Sequence, residues 1–144
     1  MIAATPLREV TLVLPMAADM ELVASQAAAA LASWIGMPSD RVDEVRMAVV
    51  EACINAFEHS RAAERKVDIR FLVWGNAEPE RLEIRVHDRG VGFAPEAVER
   101  PRLEEKIRGE RKRGWGLRII QGLMDQVEIQ SGAEGTTVVM SKSR

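Results

Sequence analysis

The chain has 144 residues, of which 47% are hydrophobic and 29% are charged, and 20 Lys and Arg against 22 Asp and Glu give a formal net charge of -2. This length and apolar content predict a single domain over residues 1–144 and exclude a wholly disordered chain. Because a basic excess is absent, we expect no direct binding of nucleic acid.

Cysteine content and hydropathy indicate the compartment. The sequence contains one cysteine, Cys53, and neither a signal-like start nor a long apolar run. One cysteine cannot form an internal disulfide, and a membrane span needs about 18 successive apolar residues. We therefore expect a cytoplasmic protein without a membrane segment.

The first half of the chain predicts a strand followed by two helices. Alternating apolar residues over 10–14 indicate a short strand at a sheet edge, closed by Pro15. Asp19 is in position to cap an alanine-rich helix that Gly36 ends. A second helix then continues to about residue 60, and we expect Ser39 or Asp40 to cap it.

The second half predicts two hairpins separated by a loop and a short helix. A period of two over 66–75 and 81–88, with turn residues between, indicates the first hairpin, and 127–142 form the second. Charged residues crowd Pro95–Arg113, which predicts a mobile loop, and an amphipathic helix over 114–125 follows. Tight turns between strands predict an α+β fold with a mixed or mostly antiparallel sheet and helices on one face.

Polar residues form a stripe on the second helix. Glu51 and Asn55 are one turn apart and share a side, with Glu58 and His59 close by. Apolar residues occupy most of the rest of this helix, so the stripe is either its hydrated edge or part of a site.

An aspartate ends the strand predicted over 81–88. Asp88 continues the apolar face of residues 82–86, where a carboxylate needs a hydrogen-bond donor, and Gly90 and Gly92 follow. A ligand amine is one such donor. The alternative is that Asp88 and Gly90 only form a turn.

A second glycine pair opens the third predicted helix. Gly114 and Gly116 precede a helix whose free amides favour an anion such as phosphate, and Arg111–Arg113 add positive charge. The spacing does not match a dinucleotide-binding or Walker-type phosphate loop, and the two histidines lack the spacing of metal ligands.

The three motifs in this order resemble the GHKL ATPase superfamily and, within it, the bacterial anti-sigma factor serine/threonine kinases. EACINAFEH is similar to the N box, DRGVGF to the first glycine box and GWGL to the second, while GTTV resembles the motif whose threonine assists adenine recognition. The resemblance covers nearly the whole chain and implies the Bergerat fold, a two-layer α/β sandwich.

The resemblance also implies ATP and Mg²⁺ as the bound groups. Glu51 would be the general base, Asn55 the magnesium ligand and Asp88 the acceptor for the adenine amino group. The remaining nucleotide-binding residues would be Gly90, Gly92, Arg113, Gly114, Gly116, Leu117 and Thr136.

By this resemblance, the protein is expected to sequester a sigma factor and to phosphorylate an anti-anti-sigma protein of the STAS type, acting as a homodimer. The alternative is a nucleotide-responsive module that binds partners in a partner-switch pathway without transferring phosphate. Residues 95–113 would form a lid that responds to the nucleotide, with Arg113 contacting the γ-phosphate. The length of the chain disfavours a sensor histidine kinase or a larger ATPase.

Overall fold

The structure, a computed structural model, describes residues 5–60, 63–89 and 116–144. The predicted loop of Pro95–Arg113 lies outside these residues. The described elements are β1 (Arg8–Pro15), α1 (Met20–Ile35), α2 (Ser39–His59), β2 (Lys66–Trp74), β3 (Arg81–Asp88), α3 (116–123), β4 (Gln126–Gly132) and β5 (Gly135–Ser143).

Five strands form one sheet in the order β1-β2-β3-β5-β4, and each described pair of neighbours is antiparallel. The predicted hairpins are confirmed as β2–β3 and β4–β5, and β1 lies at the edge beside β2. The sequence was compatible with a mixed or a mostly antiparallel sheet, and the described strands are antiparallel throughout. The α+β sandwich that was expected is therefore confirmed.

All three described helices pack on one face of the sheet. The alternation of each central strand places every second side chain in the core, because successive residues point to opposite faces. Ile120 of α3 and Met124, the residue that follows α3, belong to this core. No helix in the described residues is long and apolar enough to cross a membrane. The fully buried strand residues of the core are Val67, Ile69, Phe71, Val73, Leu82, Ile84, Val86 and Met140.

The helix ends differ in part from the predicted caps. Gly36 ends α1 as expected, with a left-handed φ of 100° that glycine adopts without strain. Asp19 is the N-cap residue of α1, as predicted, but its side chain makes no capping hydrogen bond. The prediction that Ser39 or Asp40 caps α2 is wrong, because α2 already includes both and Pro38 is its cap. The carbonyl of Pro38 accepts the backbone N–H of Val42 at 3.0 Å, which starts the helix one residue earlier.

Cys53 of α2 is fully buried. Burial, with a smaller contribution from the carboxylate of Glu21, raises the pKa of its thiol to about 12. The thiol is therefore protonated at neutral pH, and Cys53 acts as a small apolar residue of the core.

Candidate functional site

Glu51 and Asn55 lie in the second half of α2, on one side of the helix. The buried part of the helix surface is made of small and β-branched residues, including Ala48, Ala52 and Cys53, which are completely buried. Glu51 and Asn55 are only half-buried. The polar stripe predicted from the sequence therefore lies beside the core, where its oxygen atoms are partly accessible.

Helix α3 meets this stripe at Gly116. A Cβ atom built on Gly116 would lie 3.8 Å from Oε2 of Glu51, which is an ordinary contact distance. Gly116 is buried, and the next residue, Leu117, is half-buried. The first described turn of α3 therefore packs against the carboxylate of Glu51.

Asp88 is the last residue of β3 and continues its inward face. It pairs with Val67 of β2, and its own side chain is half-buried. On the other side, His87 pairs with Thr137 of β5, so one further step in the register brings Thr136 opposite Asp88. The hydroxyl of Thr136 lies 3.2 Å from that of Ser131. The two residues expected to contact adenine therefore share one end of the sheet.

Arg89, which the sequence reasoning did not single out, fastens the end of β3 to β2. Its Nε and Nη2 atoms donate to the two carboxylate oxygens of Asp68, both at 2.7 Å, and Nη1 donates to Glu64 at 3.3 Å. The hydrogen bonds from Arg89 hold the pKa of the Asp68 carboxyl below its ordinary value of 3.8. This two-pronged ion pair restrains the backbone directly after Asp88.

A second side-chain contact joins the same end of β3 to β5. Nδ1 of His87 lies 2.7 Å from the hydroxyl of Thr137, on the face of the sheet opposite Asp88. The end of β3 is thus restrained from both neighbouring strands by side chains as well as by the backbone ladder.

Four predicted site residues, Gly90, Gly92, Arg113 and Gly114, lie outside the described residues. The others form two groups. Glu51, Asn55, Gly116 and Leu117 lie where α2 meets α3, and Asp88 with Thr136 lies at the end of β3 and β5.

The oxygen atoms at α2 suit a hard cation that keeps other ligands. No cluster of three or more His, Cys, Asp or Glu side chains that could hold a metal occurs within 5–60, 63–89 and 116–144. Mg²⁺ is commonly bound by one or two protein oxygens together with water and phosphate oxygens. The amide oxygen of Asn55 beside Glu51 fits such a partial ligand set.

A depression of about 420 Å³ lies on the other face of the sheet, away from these residues. Its lining includes Glu83, whose carboxylate accepts a hydrogen bond from Arg85 at 2.8 Å. None of the predicted site residues lines it, so it is separate from the site on α2.

The sandwich thus carries the polar side of α2 and the strand-end aspartate together on the helix-covered side of the sheet. A family model described as histidine kinase-like ATPase domain matches residues 15–142. The chain belongs to this family.

Curated relatives narrow the comparison to serine-protein kinases. The chain is 33% identical over 120 residues to the serine-protein kinase RsbW of Bacillus pumilus, with 78% of this chain and 71% of that protein covered. It is 31% identical over 133 residues to a protein of the same name from Bacillus cereus, with 90% and 81% covered.

Solved structures share the fold. The RsbU and RsbW domains of a Mycobacterium tuberculosis protein match with a TM-score of 0.68 and 20% identity, covering 96% of this chain and 34% of that one. The matched region thus spans about a third of that solved chain. The histidine kinase domain of an Erythrobacter litoralis blue-light activated histidine kinase matches with a TM-score of 0.52 and 18% identity, covering 90% and 61%.

The contact between Gly116 and Glu51 predicts that Gly116→Ala folds normally. The added methyl group has room, and alanine is favoured over glycine in a helix by up to about 1 kcal/mol. Gly122→Ala is the matched control, because its added Cβ would meet no atom within 4 Å. Denaturant unfolding should show unchanged or slightly raised stability for both. Destabilisation of Gly116→Ala alone would contradict the described spacing between α3 and α2.

The ion pair of Asp68 with Arg89 predicts a pH-dependent contribution to stability. Because the pKa of Asp68 is lowered in the folded state, the contribution is complete above the ordinary value of 3.8 and is lost as the pH falls through the folded value. Asp68→Asn should therefore reduce the free energy of unfolding at pH 7 and have a smaller effect near pH 3. Urea unfolding of both proteins across this range measures the difference, and a constant difference would contradict the pairing.

Proposed function

We propose that this chain is an ATP-dependent protein serine/threonine kinase that also acts as an anti-sigma factor. The observation that carries the proposal is the packing of Gly116, at the described start of α3, against Glu51, beside Asn55. This arrangement brings together two motifs that lie in different halves of the sequence. Membership of the histidine kinase-like ATPase family and the similarity to serine-protein kinases support the same function.

Asp88 and Thr136 would recognise the adenine of ATP. A carboxylate at the end of an inward face accepts a hydrogen bond from an amino group, and a threonine hydroxyl next to it either donates or accepts one. The ties from Arg89 and His87 keep this strand end in place, so the nucleotide would meet a site whose backbone is already restrained.

Asn55 would bind Mg²⁺ through its amide oxygen, and the phosphates and water would complete the ligand set. When bound, Mg²⁺ neutralises the charge that develops on the phosphates during transfer. Gly116 and Leu117 would line the approach of the phosphates to α3, together with the proposed contacts of Gly90, Gly92, Arg113 and Gly114.

Glu51 would act as the general base. Its carboxylate would accept the proton from a serine or threonine hydroxyl as that oxygen forms a bond to the γ-phosphorus and ADP leaves. The half-buried position of Glu51 suits this role, because the side chain is held by the helix and still accessible from one side.

A sigma factor and an anti-anti-sigma protein of the STAS type are the proposed protein partners. We also propose that the chain acts as a homodimer in the cytoplasm and forms a single domain over 1–144. The family membership and the similarity to kinases of the same kind support these assignments.

The adenine contact predicts that Asp88→Asn weakens the binding of Mg-ATP. An amide offers one acceptor oxygen and places a donor close to the adenine amino group, so we expect the dissociation constant to rise about 10- to 100-fold. Calorimetry of the purified proteins measures this. Asp43→Asn, at an exposed position of α2, is the control. Unchanged affinity in Asp88→Asn would remove the assigned contact.

The general-base role predicts that Glu51→Ala slows phosphoryl transfer about 10²- to 10⁴-fold while ATP binding is largely retained. Single-turnover transfer from labelled ATP to a STAS-type acceptor provides the rate. Glu58→Ala is the matched control, since Glu58 is an exposed carboxylate on the same helix. A wild-type rate in Glu51→Ala would remove Glu51 as the general base. No transfer by the wild-type protein would favour the alternative function, a module that binds nucleotide and partners without transferring phosphate.

A further inference from the structure

A buried lysine joins three elements at the far end of α3. Lys142 of β5 is only 6% exposed. Its ammonium donates to Oε2 of Glu44 in α2 at 2.9 Å and also to the backbone carbonyl of Leu123, the last residue of α3. A lysine is seldom buried to this extent without partners, because removing the charge from water is costly.

The two contacts of α3 with α2 have matching spacings. Glu44 and Glu51 are seven residues apart on α2, about two turns or roughly 10 Å, and so lie on the same side. Gly116 and Leu123 are also seven residues apart, at the two ends of the described α3. Gly116 lies at Glu51, and Leu123 is joined to Glu44 through Lys142. Helix α3 therefore runs antiparallel along α2, with a defined contact at each end.

The chemistry of the helix end explains why a lysine is effective there. The last carbonyls of a helix have no partner within the helix, and the negative end of its dipole favours a cation. Directly after α3, the N–H of Asp125 donates to the carbonyl of Ser141 and its carboxylate accepts the N–H of Ser143, at 2.9 and 2.8 Å. The C-terminal end of α3 is thus fastened to β5, and the Glu44–Lys142 pair joins that end to α2.

We propose that Lys142 is a positioning residue for phosphoryl transfer. By holding Leu123 against Glu44, it sets how far α3 extends along α2, and so sets the place of Gly116 relative to Glu51. Its effect on the reaction rests on the proposed function. A misplacement of about 1 Å can reduce the rate about 10²-fold, so a contact remote from the reacting atoms is able to matter.

The first test uses the protein without nucleotide. Lys142→Met keeps an unbranched stem of similar size in the core and removes the ammonium. We expect amide hydrogen exchange over 117–123 to accelerate roughly tenfold, because α3 loses a stabilising positive charge at its C-terminal end. Arg41→Met is the matched control, because Arg41 also joins α2 to β5, donating to the carbonyl of Ser143 at 3.1 Å, without touching Leu123. Equal exchange in Lys142→Met and the wild type would overturn the proposal, whether or not the protein transfers phosphate.

The second test separates positioning from a merely structural role. With ATP saturating, the single-turnover transfer rate of Lys142→Met should fall about 10- to 100-fold, while Arg41→Met keeps the wild-type rate. In the Glu51→Ala background, Lys142→Met should cause little further loss, because both changes affect the same contact. Glu44→Gln retains an acceptor for the ammonium and should lie between wild type and Lys142→Met.

The outcomes distinguish the two proposals. A rate unchanged in Lys142→Met, or a loss that is fully additive with Glu51→Ala, would overturn the positioning role even if exchange in α3 is faster. If calorimetry shows that the wild-type protein binds no ATP, the proposed function fails. The exchange experiment, which needs no nucleotide, still decides whether Lys142 holds α3.

Discussion

The register of β3 between β2 and β5 is the constraint on which the candidate nucleotide site depends. Leu82 and Ile84 are completely buried, so β3 must keep this face toward the helices. A shift of one residue would expose these side chains and move Asp88 to the other face. The apolar core thus fixes the side of the sheet on which the carboxylate lies, and Arg89 and His87 hold the end of the strand in that register.

Helix α2 carries both core residues and candidate site residues. Its small, buried residues allow close packing on the sheet and α1, while the adjacent side presents Glu44, Glu51 and Asn55. All three lie on one helix, so their relative positions follow from helical geometry and need little further support. The position of α3 is different, because it depends on side-chain contacts between separate elements.

Much of the fold was predictable because its signals are local. The period of two in 66–75 and 81–88 and the turn residues between them predict the hairpin that β2 and β3 form. The cap of α2 was predicted wrongly, since the choice between Pro38 and Ser39 depends on where the chain leaves Gly36 and enters the helix, which residue preferences alone do not determine. The functional roles assigned to the site residues stay predictions.

Long-range pairs were not predictable in the same way. Arg89 and Asp68 are 21 residues apart, and Lys142 and Glu44 are 98 apart. In the sequence these are ordinary charged residues of strands and helices, and their pairing depends on the sheet order β2-β3-β5 and on the packing of α2 over it. Such pairs become visible only when the elements are assembled.

The burial of Cys53 allows selective labelling of the protein at other positions. It is the one cysteine of the sequence, and its thiol is both buried and protonated at neutral pH. A cysteine introduced at an exposed position such as Gln121 of α3 would therefore react selectively with maleimide dyes in the native protein. A fluorescent reporter can thus be attached to α3 without replacing the native cysteine and disturbing the packing of α2.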